Sequence, residues 1–216
     1  MVRWGMVIDL KKCVACHTCT VSCKLENFLP PKIYWNRVRD YERGIYPNVL
    51  RIFLPMPCMH CEDPPCRDVC PTNATIKRDD GIVYVDYERC IGCRACELAC
   101  PYDSRFYFDS LNYYYNVKTP YEDFQDREPH QRYKAGIMTK CTFCMHRIDE
   151  GLRRGLKPGV DPDATPACVI SCIANARYFG DLDDPNSTVS RLIRDKKAFR
   201  LREDLGTSPN VYYIPP

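Results

Sequence analysis

Sixteen cysteines dominate the chemistry open to this 216-residue chain, and they fall into four sets of four. The first set is Cys13, Cys16, Cys19 and Cys23, spaced C-x2-C-x2-C-x3-C. The third, Cys90, Cys93, Cys96 and Cys100, repeats that spacing and runs into Pro101. The second, Cys58, Cys61, Cys66 and Cys70, is spaced C-x2-C-x4-C-x3-C and runs into Pro71. The fourth is Cys141, Cys144, Cys168 and Cys172, spaced C-x2-C-x23-C-x3-C. Each set opens C-x2-C and closes C-x3-C, so the chain carries an internal repeat of ligand-like thiols.

The run Cys90-Ile-Gly-Cys93-Arg-Ala-Cys96-Glu-Leu-Ala-Cys100-Pro101 matches the bacterial ferredoxin pattern C-x2-C-x2-C-x3-C-P throughout. In that pattern the fourth cysteine ligates the other cluster of a pair. Three cysteines two residues apart wrap a tight loop around three corners of an iron–sulfur cube. The fourth lies one helical turn beyond the third, on the same face, and is carried toward a neighbouring cube. A proline directly after it stops the helix and redirects the chain.

Other chemistries fit less well. Clustered C-x2-C-x2-C triplets are poor disulfide geometry, and a chain of this size needs no such stapling. Structural zinc sites separate two C-x2-C pairs by a dozen or more residues and have no use for a third cysteine two residues on. Cys13-Val-Ala-Cys16-His17 matches the C-x-x-C-H haem pattern, but it would orphan Cys19 and Cys23, and Arg94 stands where the third set would need the histidine. His17, His60 and His146 then read as surface imidazoles or as imidazoles beside a cluster. Arg94, inside the third loop, is expected to raise a nearby cluster's potential, with a solvated arginine as the alternative reading.

Composition narrows the class. Apolar residues make up 45% and charged residues 27% of the chain, which excludes a disordered tail. No run approaches the length of a membrane span, the N-terminus shows no signal-peptide pattern, and a soluble chain with no address of its own is expected. The formal charge of +3 counts every cysteine as neutral. A [4Fe–4S]²⁺ core with four thiolates carries about −2, so four of them would bring the holoprotein to roughly −5. The apparent basicity is no argument for nucleic-acid binding.

The segments between the motifs must position them. Residues 24–57 predict a short hairpin packed over the first cluster pair. Residues 74–88 predict a hairpin closed at Asp79-Asp80-Gly81. Residues 102–121 hold Tyr102, Tyr107, Tyr113, Tyr114, Tyr115 and Tyr121 with Phe106 and Phe108, which reads as strand packing or as a protein-docking surface. Residues 145–167 predict a helix and then a loop. Asp184-Pro-Asn-Ser is expected to cap a helix from Thr188, and the tail from Pro209 to be an extended strand or a partner-binding arm.

With these motifs in place, the chain resembles the iron–sulfur subunits of the molybdopterin oxidoreductase (dimethyl sulfoxide reductase) family, which includes the polysulfide, thiosulfate, tetrathionate and arsenate respiratory reductases. The resemblance covers nearly the whole chain. It rests on Met6-Val-Ile-Asp-Leu-Lys-Lys-Cys13-Val-Ala-Cys16, Pro57-Cys58-Met-His-Cys61-Glu-Asp-Pro-Pro-Cys66, Lys140-Cys141-Thr-Phe-Cys144 and Gly180-Asp-Leu-Asp-Asp-Pro-Asn-Ser. It implies an α+β fold of two interleaved bacterial-ferredoxin-like modules, each binding two [4Fe–4S] clusters, with hairpin and loop insertions. Module one would span 1–23 plus 141–177 and module two 58–101, with insertions 24–57 and 102–140 and a C-terminal arm at 178–216.

The family pattern pairs the first set with the fourth and the second with the third. Cys13, Cys16, Cys19 and Cys172 would hold one cluster, and Cys141, Cys144, Cys168 and Cys23 its neighbour. Cys58, Cys61, Cys66 and Cys100 would hold a third, and Cys90, Cys93, Cys96 and Cys70 the fourth. Cys93 is present where some relatives lack it, which implies [4Fe–4S] rather than [3Fe–4S] at that site. The resemblance further implies a non-catalytic electron-transfer subunit between a molybdenum or tungsten molybdopterin catalytic subunit and a quinone-reactive integral-membrane anchor. The first-and-fourth pair would face the catalytic subunit and the third-set cluster the membrane. Such a subunit is peripheral, held to the membrane by its partners, with the extracytoplasmic face expected. A free-standing polyferredoxin that shuttles electrons by diffusion is the rival reading, and a zinc-stapled binding module a further one.

Overall fold

A computed structural model describes residues 2–109, 115, 117–120 and 134–216. The first half runs β1 (Trp4–Asp9), α1 (Thr18–Glu26), β2 (Arg37–Ile45), β3 (Asn48–Met56), α2 (Pro65–Asp68), β4 (Thr75–Lys77), β5 (Val83–Val85) and α3 (Ala95–Leu98). The second runs β6 (Phe106–Phe108), β7 (Ile137–Thr139), α4 (Met145–Arg153), α5 (Ala167–Ile170), β8 (Arg177–Asp181), α6 (Thr188–Asp195) and β9 (Val211–Ile214). Helices and strands are mixed, and most are short because the cysteine loops interrupt them.

β1 is the middle of a three-stranded sheet, antiparallel to β8 and parallel to β9. A strand covered on both faces needs apolar side chains at successive positions, and Trp4, Met6, Val7 and Ile8 are all buried. The tail is therefore a sheet strand, with Tyr213 fully buried and its hydroxyl donating to the Pro55 carbonyl at 2.8 Å. α6 lies on this sheet through Val189, which packs with Val7 and Ile214. Its N-cap is Ser187, whose hydroxyl accepts the Ser190 N–H.

Sets distant in sequence lie side by side. α1 of the first set packs against α5 of the fourth, and α2 of the second against α3 of the third. β4 and β5 form the hairpin expected at residues 74–88, turning through Gly81 at φ +83°. Arg78, at its turn, makes a two-pronged ion pair with Asp149 of α4 at 2.8 and 2.7 Å. One buried cluster runs through the whole assembly, from Met6 and Ile8 through Leu29, Trp35 and Met59 to Phe143, Ile148 and Tyr213.

One expectation needs correction, and one pair of alternatives is decided in part. The 24–57 segment contains a long hairpin, β2 paired with β3 from Arg37↔Met56 to Ile45↔Asn48. Only its root packs over the first cysteine loop, through Val38 and Pro55. The outer half, from Asp40 to Arg51, is exposed. Charged residues alternate there with Tyr41, Ile45 and Leu50, and Arg51 pairs across the strands with Asp40, so the outer half presents no uniformly apolar face to bury. Within 102–121, Tyr102 and Phe108 are buried and Phe106 and Tyr107 half-buried, the last three on β6 paired with β7. Phe106, Tyr107 and Phe108 are strand packing, while Tyr102 lies in the turn after Cys100 with its hydroxyl 2.6 Å from that of Thr207. Tyr115 is exposed, and Tyr113, Tyr114 and Tyr121 lie outside the described residues.

Candidate iron–sulfur centres

Every set opens with the same backbone device. The residue two beyond the first cysteine is left-handed: Ala15 (φ 53°), His60 (45°), Gly92 (66°) and Phe143 (54°). That conformation turns successive N–H groups inward, making a concavity suited to negative charge. The His60 N–H points at Cys58 Sγ (3.5 Å) and the Phe143 N–H at Cys141 Sγ (3.5 Å). In the first and third sets a second left-handed residue, His17 (φ 59°) or Arg94 (φ 62°), caps the helix that carries the later cysteines.

The closing cysteines share a second device. The N–H four residues on returns to their sulfur: Ala74 to Cys70 (3.2 Å), Ser104 to Cys100 (3.5 Å) and Ala176 to Cys172 (3.3 Å). Cys23 differs because α1 continues past it. There the Asn27 side-chain amide takes over, 3.7 Å from Cys23 Sγ.

Three cavities are each lined by four cysteines drawn from two sets. Cys13, Cys16, Cys19 and Cys172 line the first, Cys58, Cys61, Cys66 and Cys100 the second, and Cys70, Cys90, Cys93 and Cys96 the third. The remaining four cysteines are all buried, and Cys23 lies within electrostatic reach of Cys141, Cys144 and Cys168. None of the sixteen is bridged to another. Among the described residues no three His, Cys, Asp or Glu side chains converge on a point that suits one metal ion; the thiols surround volumes instead.

Burial pushes the Cys61 and Cys141 thiols up to about 12 and Cys96 to about 11, each with neighbouring thiols adding to the effect. These three thiols therefore stay protonated at neutral pH without metal, and metal loading must expel their protons. Cys16 is the contrast, held below the ordinary thiol value chiefly by its hydrogen bond from Thr18. Cys70 is also lowered; burial opposes this, but the Thr75 N–H and the Thr72 hydroxyl outweigh it.

Buried cations stand among these thiols. Arg105 is 3% exposed and its guanidinium lies 2.7 Å from Cys66 Sγ; Arg177 is 4% exposed and lies 3.2 Å from Cys168 Sγ. Lys140 is fully buried and donates to the Val83 carbonyl. Thiol quartets, inward N–H groups and buried cations suit the anionic sulfur of [4Fe–4S] clusters.

The histidines and Arg94 resolve differently. His17 is exposed at the rim of the first cavity. His146 is half-buried and bound to Glu26 at 2.7 Å. His60 is no surface residue: it is fully buried, with Nδ1 accepting the Val83 N–H at 3.0 Å. Arg94 is the solvated reading, its side chain 56% exposed and paired with Glu97 at 2.7 Å. Sequence reasoning missed Arg105 and Arg177 as cluster neighbours. The signal was present, since each stands five residues after a closing cysteine and before two aromatics, as Cys100-x4-Arg-Phe-Tyr and Cys172-x4-Arg-Tyr-Phe.

The thiol-lined cavities on a mixed α and β frame define an iron–sulfur protein, and residues 49–118 match the 4Fe-4S dicluster domain family. The chain is 44% identical to a selenate reductase subunit of Mesobacillus selenatarsenatis, over 99% of this chain and 72% of that one. It is 40% identical to a putative dimethyl sulfoxide reductase iron-sulfur subunit of Halobacterium salinarum (99% and 79%). It is 38% identical to the iron-sulfur cluster-binding subunit of menaquinone reductase of Nitratidesulfovibrio vulgaris (99% and 89%). The chain belongs to the iron–sulfur subunits of the molybdopterin oxidoreductase family. It is an electron-transfer subunit of a reductase complex, not a catalytic one, and the free-standing shuttle falls away. Among the described residues no helix is long and apolar enough to cross a membrane.

Proposed function

We propose that the chain is a four-cluster electron wire. Its clusters would be held by Cys13, Cys16, Cys19 and Cys172; by Cys23, Cys141, Cys144 and Cys168; by Cys58, Cys61, Cys66 and Cys100; and by Cys70, Cys90, Cys93 and Cys96, on two interleaved ferredoxin-like modules. The observation that carries this is the lining of three cavities by four thiols each, the fourth always from a different set.

Contacts between quartets support a linear order. Cys19 and Cys168 face each other closely enough for their charges to interact, as do Cys141 and Cys58, and Cys66 and Cys96. The order is then the Cys13 quartet, the Cys141 quartet, the Cys58 quartet and the Cys90 quartet. Only the two end quartets have an exposed cysteine, Cys16 and Cys93. Exposed apolar side chains stand on the same cysteine motifs: Val14, Val21 and Ile173 on the first and fourth, and Ile91 and Leu98, 65% and 89% exposed, on the third. Such surfaces suit docked partners, because electron transfer between proteins needs close, dry contact.

Bound clusters supply the one-electron carriers. The chain's own residues fix the spacing of the cubes, direct N–H groups at sulfur and exclude water from the two inner quartets. The relatives act in selenate, dimethyl sulfoxide and menaquinone reductases. By that likeness the partners of this chain are a molybdopterin catalytic subunit at the Cys13 end and a quinone-reactive membrane subunit at the Cys90 end. The chain would be peripheral to the membrane through them, on the extracytoplasmic side. Iron and acid-labile sulfide analysis of protein purified without oxygen tests the proposal. About sixteen of each per chain are expected; about eight of each would leave only two clusters and overturn it.

A further inference from the structure

Arg105 and Arg177 are buried cations with no carboxylate partner among the described residues. Arg177 donates to Cys168 Sγ at 3.2 Å, to the Asn36 side-chain oxygen at 3.0 Å and toward Met6 sulfur at 3.6 Å. Arg105 donates to Cys66 Sγ at 2.7 Å and to the Thr75 hydroxyl at 3.3 Å. An unpaired guanidinium in a dry core is untenable unless negative charge faces it. Among the described residues the groups beside them that can carry it are cysteine sulfurs.

The placement of the two is matched. Arg177 interacts with Cys168, from the Cys141 quartet, and with Cys19 and Cys172, from the Cys13 quartet. Arg105 interacts with Cys66 and Cys58, from the Cys58 quartet, and with Cys96, from the Cys90 quartet. Each arginine thus sits between the two quartets of one pair. Each opens the chain after a closing cysteine, at the start of β8 or just before β6.

We infer that Arg177 and Arg105 are the fixed counter-cations of the two cluster pairs, each raising the reduction potentials of both clusters in its own pair. Reduction adds negative charge to a cluster, and a cation held in a low-dielectric interior favours the more negative state. The guanidinium stays charged at any working pH, so it acts as a constant bias. Both are positioning residues: they touch ligand sulfur and carry no electron.

This inference rests on the four-cluster reading, and one set of proteins tests the two separately. Arg177→Met, Arg177→Lys, Arg105→Met and Arg105→Lys are made in the intact complex, with iron counted and cluster potentials measured by redox titration under electron paramagnetic resonance. Arg177→Met is expected to lower the potentials of the Cys13 and Cys141 clusters and leave the other two unchanged. Arg105→Met is expected to do the reverse, and the lysine variants to keep most of the wild-type potentials. Full iron with four unchanged potentials in both methionine variants would sink the idea while sparing the four-cluster reading. So would lysine and methionine variants that shift alike, since charge would then not matter. If a methionine variant fails to load its pair, a loaded lysine variant with near-native potentials supports the inference, and a lysine variant equally empty of iron overturns it. A shortfall of iron in the wild type is instead a failure of the four-cluster reading.

Discussion

His60 and Phe143 stack ring on ring, their centroids 3.7 Å apart and their planes 24° from parallel. Each is the left-handed third residue of its cysteine loop, one in the second set and one in the fourth. Both are buried, and Phe143 meets Phe179 edge-on at 5.3 Å. The stack joins the second-set loop, through His60, to the fourth-set loop, through Phe143. Phe143→Ala is expected to cost about 3–5 kcal/mol, read as a lower denaturant midpoint of the loaded protein. An unchanged midpoint would show that the junction is held elsewhere.

The exchange of closing cysteines makes a second prediction. Cys70 lines the same cavity as Cys90, Cys93 and Cys96, while Cys58, Cys61 and Cys66 line another with Cys100. Cys70→Ser is expected to alter the spectrum of the Cys90 cluster and spare the Cys58 cluster. Damage confined to the latter would mean that each set serves its own cube.

Gly92 and Ala15 occupy equivalent left-handed positions, and the one at Gly92 is crowded. A Cβ there would overlap the Gly136 carbonyl oxygen and stand 3.1 Å from the Tyr107 ring. Gly92→Ala must therefore push away the chain entering β7, whose Met138 N–H points at Cys90 Sγ at 3.4 Å. A loss of about 1–3 kcal/mol and of iron from this quartet is expected. Ala15→Gly is expected to be neutral or to stabilise by up to about 1 kcal/mol, since it relieves a left-handed alanine. Thermal unfolding and iron content check both.

Arg94 serves as a control for the buried arginines. Its charge is shared with Glu97, lies over the Tyr107 ring at 5.2 Å and faces solvent. Water and salt screen a charge so placed. Arg94→Gln is expected to leave the cluster potentials unchanged in the same titration, and a shift as large as that of Arg105→Met would contradict the role of burial.

Glu26 ties α1 to α4 through His146 at 2.7 Å and Arg147 at 3.2 Å. The hydrogen bond from His146 is the main cause that holds its carboxyl below the ordinary value near 4.5, with Arg147 adding and burial opposing. A carboxyl lowered on folding contributes stability that is fully present above its unfolded value and is lost as pH falls through the folded one. Glu26→Gln is expected to cost about 1–2 kcal/mol at pH 7, with the gap to wild type closing as the solution is acidified below about pH 4.5. A gap that stays constant down through the acid range would assign the effect to shape.

Much of the local architecture can be read from residue order. The Asp79-Asp80-Gly81 turn and the Ser187 cap follow from nearby residue types, because turns and caps are governed by neighbours; the tail reads equally as a strand or a partner-binding arm until its pairing with β1 decides for the strand. Arg51 and Asp40 show the limit, since a hairpin can be inferred at residues 24–57 while the projection of its outer half into solvent cannot. His60 shows another: a histidine between two cysteines looks polar and superficial until Phe143 is found lying on it.

Spacing of two and three residues between cysteines compels tight loops and single helical turns, for reasons contained in the backbone itself. That much belongs to the linear chain. The approach of Cys172 to Cys13 and of Cys100 to Cys58, and the burial of Arg105 and Arg177 between quartets, arise from packing of segments far apart in sequence. Burial and long-range proximity are properties of the whole assembled core: the repeated Cys-x4-Arg spacing marks the two arginines, but how much water each charge retains is set by packing.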